Sequence, residues 1–207
     1  MKILRLLVLG GCLLAAGLPS LAATEPVDGP RDLVMATTDK ILGKIREQRA
    51  ALDANPRLVD QFIIEIVLPH FDFVAMSRSV LGKHWRRASQ QQQQSFVDEF
   101  KNLLVRTYAT ALLEYTEERI EFLPLNAAKG DDDVTVRTEI EQPGGLGIPI
   151  DYRMELQPEG WKVYDVTIDG LSLVGNYRNT FNNEVRQVGL DGLIDNIRRR
   201  NVDARAG

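Results

Sequence analysis

Leu33, Val34, Ile41, Leu42 and Ile45 recur at the spacing of one helical face, which predicts an amphipathic helix near the start of the folded chain. Asn55-Pro56 then pairs a capping residue with proline at the first helical position. The helix behind it carries Leu58, Val59, Phe62, Ile63, Ile66 and Val67 and is predicted to stop at Pro69. Residues 71–81 read as one or two short helices. Ser89 and Gln92 stand at capping-box spacing, so each side chain can satisfy an open backbone N–H of the other. The helix they open is expected to reach about Tyr115. Phe96, Val97, Phe100, Leu103, Leu104, Tyr108, Ala111, Leu112 and Tyr115 form its apolar face, and Asp98, Glu99, Lys101, Asn102, Arg106 and Glu114 its wet one.

The second half of the chain changes period. Val134, Val136, Thr138 and Ile140 alternate with Thr135, Arg137, Glu139 and Glu141, and Ile148, Ile150, Tyr152, Met154 and Leu156 alternate with Pro149, Asp151, Arg153 and Glu155. Trp161 to Ile168 reads as a third strand and Ile120 to Leu125 as a fourth. Turn chemistry separates them at Lys129-Gly130-Asp131-Asp132, Pro143-Gly144-Gly145 and Pro158-Glu159-Gly160. These features predict an antiparallel meander of about four strands with one apolar face that must be covered. Ser172 is placed to cap a helix bearing Leu173, Val174, Tyr177, Phe181, Val185 and Val188. A last short helix holds Leu193, Ile194 and Ile197, with Arg198, Arg199 and Arg200 at its negative end. Helices, then a curved sheet, then helices make the fold class α+β.

The N-terminus bears on the compartment. Lys2 and Arg5 precede an uncharged apolar run from Leu6 to Leu18, broken by Pro19 and Ser20. Ser20-Leu21-Ala22 offers the small residues of a signal-peptidase site, so residues 1–22 are expected to be a signal peptide cleaved after about Ala22. The run is shorter than the roughly 20 residues that span a bilayer. Leu9-Gly10-Gly11-Cys12 offers an alternative lipobox, with poor spacing on both sides. Residues 23–30 read as a flexible leader and 31–207 as a single domain. Cys12 is the only cysteine, so the mature chain has no disulfide framework and no thiolate chemistry. The whole chain carries a net charge of −4, and losing Lys2 and Arg5 makes it more acidic. Without a basic stripe, nucleic-acid binding is not expected.

No constellation of catalytic residues stands out. His70 and His84 are the only histidines and lack metal-ligand spacing. Ser172 lies in Gly-Leu-Ser-Leu-Val, where Val174 replaces the second glycine of a nucleophile elbow, and helix capping is the simpler role. Asp131-Asp132-Asp133 lacks the spaced ligands of a calcium loop. Asp165 and Asp169 could pair for acid–base work, yet sit where aspartate caps turns. What remains is an apolar sheet face under helices. Such a face closes into a solid core or encloses a pocket with the same residue types, and the pattern by itself favours the solid core.

The motifs Leu68-Pro69-His70-Phe71-Asp72-Phe73, Ser77-Arg78-Ser79-Val80-Leu81-Gly82-Lys83-His84-Trp85, Ile148-Pro149-Ile150-Asp151-Tyr152-Arg153-Met154 and Trp161 to Val174 followed by Asn176-Tyr177-Arg178 resemble the toluene-tolerance (MlaC) family of periplasmic phospholipid carriers. The likeness runs from about Leu33 to the end of the chain. It implies a cone similar to the nuclear-transport-factor-2 fold, with added helices and a cavity for acyl tails. It implies phospholipid as the transported ligand; no cofactor and no metal are expected. The implied partners are an outer-membrane lipoprotein–porin complex and an inner-membrane ABC transporter, met through its substrate-binding subunit, and a monomer is expected. Combined with the alternation, this architecture nominates Val134, Val136, Ile150, Tyr152, Met154 and Val163 on the sheet and Leu81, Phe100, Leu104, Tyr108, Leu173 and Tyr177 on the helices as lipid-lining residues. The competing readings are a ligand-free envelope adaptor and a lipid hydrolase.

Overall fold

The computed structural model describes residues 29–109, 111–114, 119–128, 130–142 and 144–206. The expected signal peptide, most of the leader, Tyr115, Lys129 and Pro143 lie outside the described residues. Helix α1 (Pro30–Glu47) opens with proline in its first turn, Asp32 beside it, and Lys44 and Arg46 in the last turn, the charge order that its dipole favours. After α2 (Arg49–Ala54), Asn55 Oδ1 accepts from the Arg57 N–H at 3.2 Å and α3 (Leu58–Phe62) follows. Helical backbone runs one residue past Pro69. It continues as a π-turn over Ile63–Val67 and a 3-10 turn over Leu68–His70. Proline fits the start of a short turn because no donor is needed there, and the chain becomes extended at Phe71.

Asp72 accepts from the Ala75 N–H at 2.8 Å and starts α4 (Phe73–Leu81), followed by a 3-10 turn over Gly82–Arg87. The capping box predicted from Ser89 and Gln92 is formed, and α5 spans Gln90–Tyr108. It ends short of Tyr115, and Ala111–Glu114 forms a separate short helix, α6. Near that end the Thr107 hydroxyl donates back to the Leu103 carbonyl at 2.8 Å, a bond that tends to bend helices.

The sheet has five antiparallel strands in sequence order: β1 (Ile120–Phe122), β2 (Asp133–Ile140), β3 (Ile148–Gln157), β4 (Gly160–Ile168) and β5 (Leu171–Ser172). The fifth is a two-residue strand that pairs Ser172 with Thr167. Val134, Val136, Thr138 and Ile140 are all buried, as their alternation predicts. Leu156 departs from the pattern and is exposed, at the hairpin end of β3. The pairing shifts between Arg153↔Asp165 and Met154↔Val163, leaving Tyr164 as an extra residue on β4. A one-residue insertion flips the faces on either side of it. Val163 therefore shares a row with Met154, and Val166 with Tyr152.

The flip also sets Asp165 apart. It is buried, accepts from the Ser172 hydroxyl at 2.7 Å and from the Val174 N–H at 3.1 Å, and so caps α7 (Leu173–Ala206) from a neighbouring strand. Ser172 Oγ accepts from the Gly175 N–H at 2.9 Å, completing the cap expected of it. Non-helical Gly189 (φ 74°, ψ 176°) divides α7 in two. Before it, Tyr177 and Phe181 pack on Phe100, with Phe181 also against Phe96. Beyond it, Asp191 meets Gln92 and Arg198 meets Glu99. The chain thus reverses along α5, as the expectation of two separate terminal helices requires.

Candidate functional site: an apolar cavity under the sheet

Three apolar clusters hold the molecule. One joins α4, α5 and α7, with Phe96, Phe100 and Phe181 almost wholly buried. A second joins α1 through the π-turn to Val105 and Ala109. The third lies on the inner sheet face and includes Val134, Val136, Met154, Val163 and Val166. These clusters do not merge into one solid core. Between sheet, α1, the 63–73 segment and α5 lies a cavity of about 480 Å³, within the range typical of ligand sites, about 300–1,000 Å³.

Sheet rows build one wall. Pairing sets Thr138, Ile150 and Ile168 side by side, then Ile140 and Ile148, and all five line the cavity. The opposite wall comes from Val34, Thr37, Thr38, Ile41 and Leu42 of α1, and from Leu104, Val105 and Tyr108 of α5. Ile63, Val67, Leu68, His70, Phe71 and Phe73 close one side. No aspartate, glutamate, lysine or arginine lines it among the described residues. Many lining side chains, including Leu33, Leu42, Leu68, Phe71, Ile150 and Tyr152, are only half-buried although they sit under the sheet, because part of their surface borders the cavity.

Of the nominated residues, Ile150, Tyr152, Met154, Val163, Leu104, Tyr108 and Leu173 line this cavity. Leu81 and Phe100 pack into the α4–α5–α7 core with Tyr177 against them. A helix at the centre of a bundle presents different residues to each neighbour, and Phe100 of α5 faces Tyr177 and Phe181 of α7. Val134 and Val136 are buried within the sheet cluster behind the cavity wall. The α1 residues carry no such signal, since nothing local in a helix says which sheet face it will cover. Ile140, Ile148 and Thr138 carried a usable signal, the same alternation as Ile150. Val166 and Ile168 carried none, because the bulge at Tyr164 reverses the alternation that a continuous strand would have.

The polar groups of the wall suit an uncharged interior. Burial and the contact with Tyr177 push the Tyr108 phenol up to about 12. Burial raises Tyr152 as well, partly offset by its hydrogen bond with Thr138. Both are neutral at physiological pH. The Thr138 hydroxyl in turn donates to the Ile150 carbonyl at 3.1 Å. Burial lowers His70, and Lys162 and Lys40 lower it further, so it too is neutral near pH 7. Among the described residues no three metal-ligating side chains gather, and no helix is long and apolar enough to cross a membrane. Asp165 and Ser172 hold each other and the start of α7.

The family model for "MlaC protein" matches residues 35–199. The chain belongs to the MlaC family. Among MlaC relatives, a toluene tolerance protein, ttg2D, of Pseudomonas putida is 30% identical over 191 residues, which is 90% of this chain and 86% of that protein. The intermembrane phospholipid transport system binding protein MlaC of Haemophilus influenzae is 23% identical over 168 residues, covering 80% of this chain and 78% of the relative. A solved structure of a phospholipid-binding protein from Ralstonia solanacearum, in complex with a phospholipid, superposes with a TM-score of 0.79 at 33% identity. It spans 85% of this chain and 98% of its own. The MlaC family thus accounts for the described fold nearly from end to end.

Proposed function

We propose that this protein is a soluble periplasmic carrier that moves phospholipid between membrane complexes with the acyl tails held in the cavity under the sheet. The observation that carries the reading is the cavity, walled by apolar side chains from sheet and helices and without a charged residue among those described. The phospholipid bound to the Ralstonia solanacearum relative supports it, as does the transport role in the name of the Haemophilus influenzae relative. The expected signal peptide supplies the compartment. The partners that suit the reading are an outer-membrane lipoprotein–porin complex as one terminus and an inner-membrane ABC transporter as the other.

The energetics favour this task. Each methylene shielded from water contributes about 0.8 kcal/mol, so the ~30 methylenes of two acyl tails amount to ~25 kcal/mol if fully covered. That cost keeps a diacyl lipid in its bilayer, and an apolar enclosure removes the share of it that belongs to the methylenes it covers. The wall makes only apolar contacts with the tails, so discrimination among headgroups is expected to be weak. Transfer of labelled phospholipid between donor and acceptor vesicles tests the reading. The protein is expected to accelerate transfer in proportion to its concentration, for several headgroups alike. No acceleration and no bound lipid would leave a ligand-free adaptor. Release of fatty acid would revive a hydrolase.

A further inference from the structure

The cavity is uncharged along its walls but not at one of its edges. His70 lines it, and the two cations that depress the imidazole's proton affinity are Lys162 from β4 and Lys40 from α1. Lys162 Nζ donates to the Pro69 carbonyl at 2.7 Å, which holds its ammonium beside the 68–70 turn and leaves two of its N–H donors uncommitted. Among the described residues neither lysine has a carboxylate partner. Asp72, two residues after His70, is already engaged by the Ala75 N–H and by Gln157 Nε2 at 2.7 Å. Thr37, three residues before Lys40 on the same side of α1, lines the cavity with Thr38. The other polar groups of the wall have partners inside the protein: Thr138 with Ile150, Tyr152 with Thr138, and Tyr108 with Tyr177. Polar groups left without a protein partner are therefore found on α1 and on the 68–70 turn, next to two lysines that form no ion pair among the described residues.

We propose that Lys40, His70 and Lys162 form a subsite for the phosphate group of the bound lipid, fixing the headgroup end of a ligand whose tails occupy the apolar cavity. This rests on the phospholipid reading above and deepens it. A phosphodiester carries one negative charge and acceptor oxygens, the complement of two ammonium groups and an imidazole N–H. It is also common to all glycerophospholipids. The subsite thus selects phospholipid over an uncharged diacyl lipid without reading the group beyond the phosphate.

Binding of a phosphatidyl lipid and of diacylglycerol with the same tails would be measured on wild-type protein and on Lys40→Gln, Lys162→Gln and Lys40→Arg. Lys40 is exposed, so its variants leave the fold intact. Each glutamine variant is expected to lose roughly threefold in phospholipid affinity, the scale of a partly exposed ion pair. Diacylglycerol binding stays unchanged, and Lys40→Arg keeps wild-type affinity. As an independent readout, the His70 imidazole pKa followed by NMR is expected to rise when phosphatidyl lipid binds and to stay put with diacylglycerol or with inorganic phosphate alone. Unchanged phospholipid affinity in both glutamine variants overturns the subsite. So does equal loss of both lipids, which would place the effect in the tail cavity. A His70 shift with inorganic phosphate alone would mean that a free anion, not the lipid, is the ligand. If wild-type protein binds neither lipid, the carrier reading itself fails, a result distinct from all of these.

Discussion

Ile150 and Val136 occupy the same sheet face and look equivalent in sequence, yet their surroundings differ. Ile150 is half-buried and borders the cavity, whereas Val136 is 1% exposed and packed in the sheet cluster. If the whole apolar face lines a pocket, a charge at either position is expected to expel lipid and spare the fold. The structure separates them. In Ile150→Asp the carboxylate faces a cavity that water can enter, so the protein is expected to stay folded and lose its lipid. In Val136→Arg the guanidinium is sealed in without a partner, which costs several kcal/mol and is enough to unfold a marginal domain. Circular dichroism, thermal melting and bound-lipid analysis on both variants check this; equal behaviour would contradict the cavity's placement. The histidines add a pH dependence. Burial is the first cause lowering the pKa of both His70 and His84 below 6.5. The unfolded chain then binds protons that the native state does not, so stability is full above pH 6.5 and falls as pH drops from there toward the native pKa values. The melting temperature is expected to fall from pH 7.5 to 5.5, and the double variant His70→Gln/His84→Gln to fall less. An identical fall would exclude the histidines as the cause.

At the scale of elements, the helices with strong local signals were the legible ones. Ser89 and Gln92 announced the start of α5, and alternation announced β2. The cap of α7 was half legible: Ser172 was readable, but Asp165 reaches the helix from a strand because of the bulge at Tyr164, and a bulge leaves no mark in the alternation until the pairing is known. Asp165→Ala would strand the Ser172 hydroxyl and the Val174 N–H. It is expected to lower unfolding stability in urea by about 1–3 kcal/mol, with Asp165→Asn losing less. No change would mean that the cap is dispensable. Gly189 marks the other junction of α7. Its backbone combination is open essentially to glycine alone, so Gly189→Ala is expected to cost about 1–3 kcal/mol of strain. Unaltered stability in that variant would contradict the sharp reversal of α7 at Gly189. The split between α5 and α6 had no such mark, since the apolar stripe continues through Ala111.

For the whole molecule, composition and period were enough for an α+β domain, and the cavity was not legible from them. Solid core and cavity use the same residue types. The difference lies in how far α1 and the 63–73 segment stand off the sheet, a distance set by packing among clusters far apart in sequence. The half-buried apolar side chains under the sheet, from Leu33 to Ile168, record that stand-off. Because bound lipid stabilises only the folded state, stripping it with organic solvent is expected to lower the melting temperature, and reloading to restore it. The central claim is that the cavity holds phospholipid, and native mass spectrometry of the protein secreted to the periplasm and purified without detergent tests it most directly. We expect a mass above that of the chain from about Ala23 by one or more phospholipids, with several headgroups represented and the lipid released intact on activation. Protein arriving at the bare chain mass, and still bare after incubation with phospholipid vesicles, would contradict it.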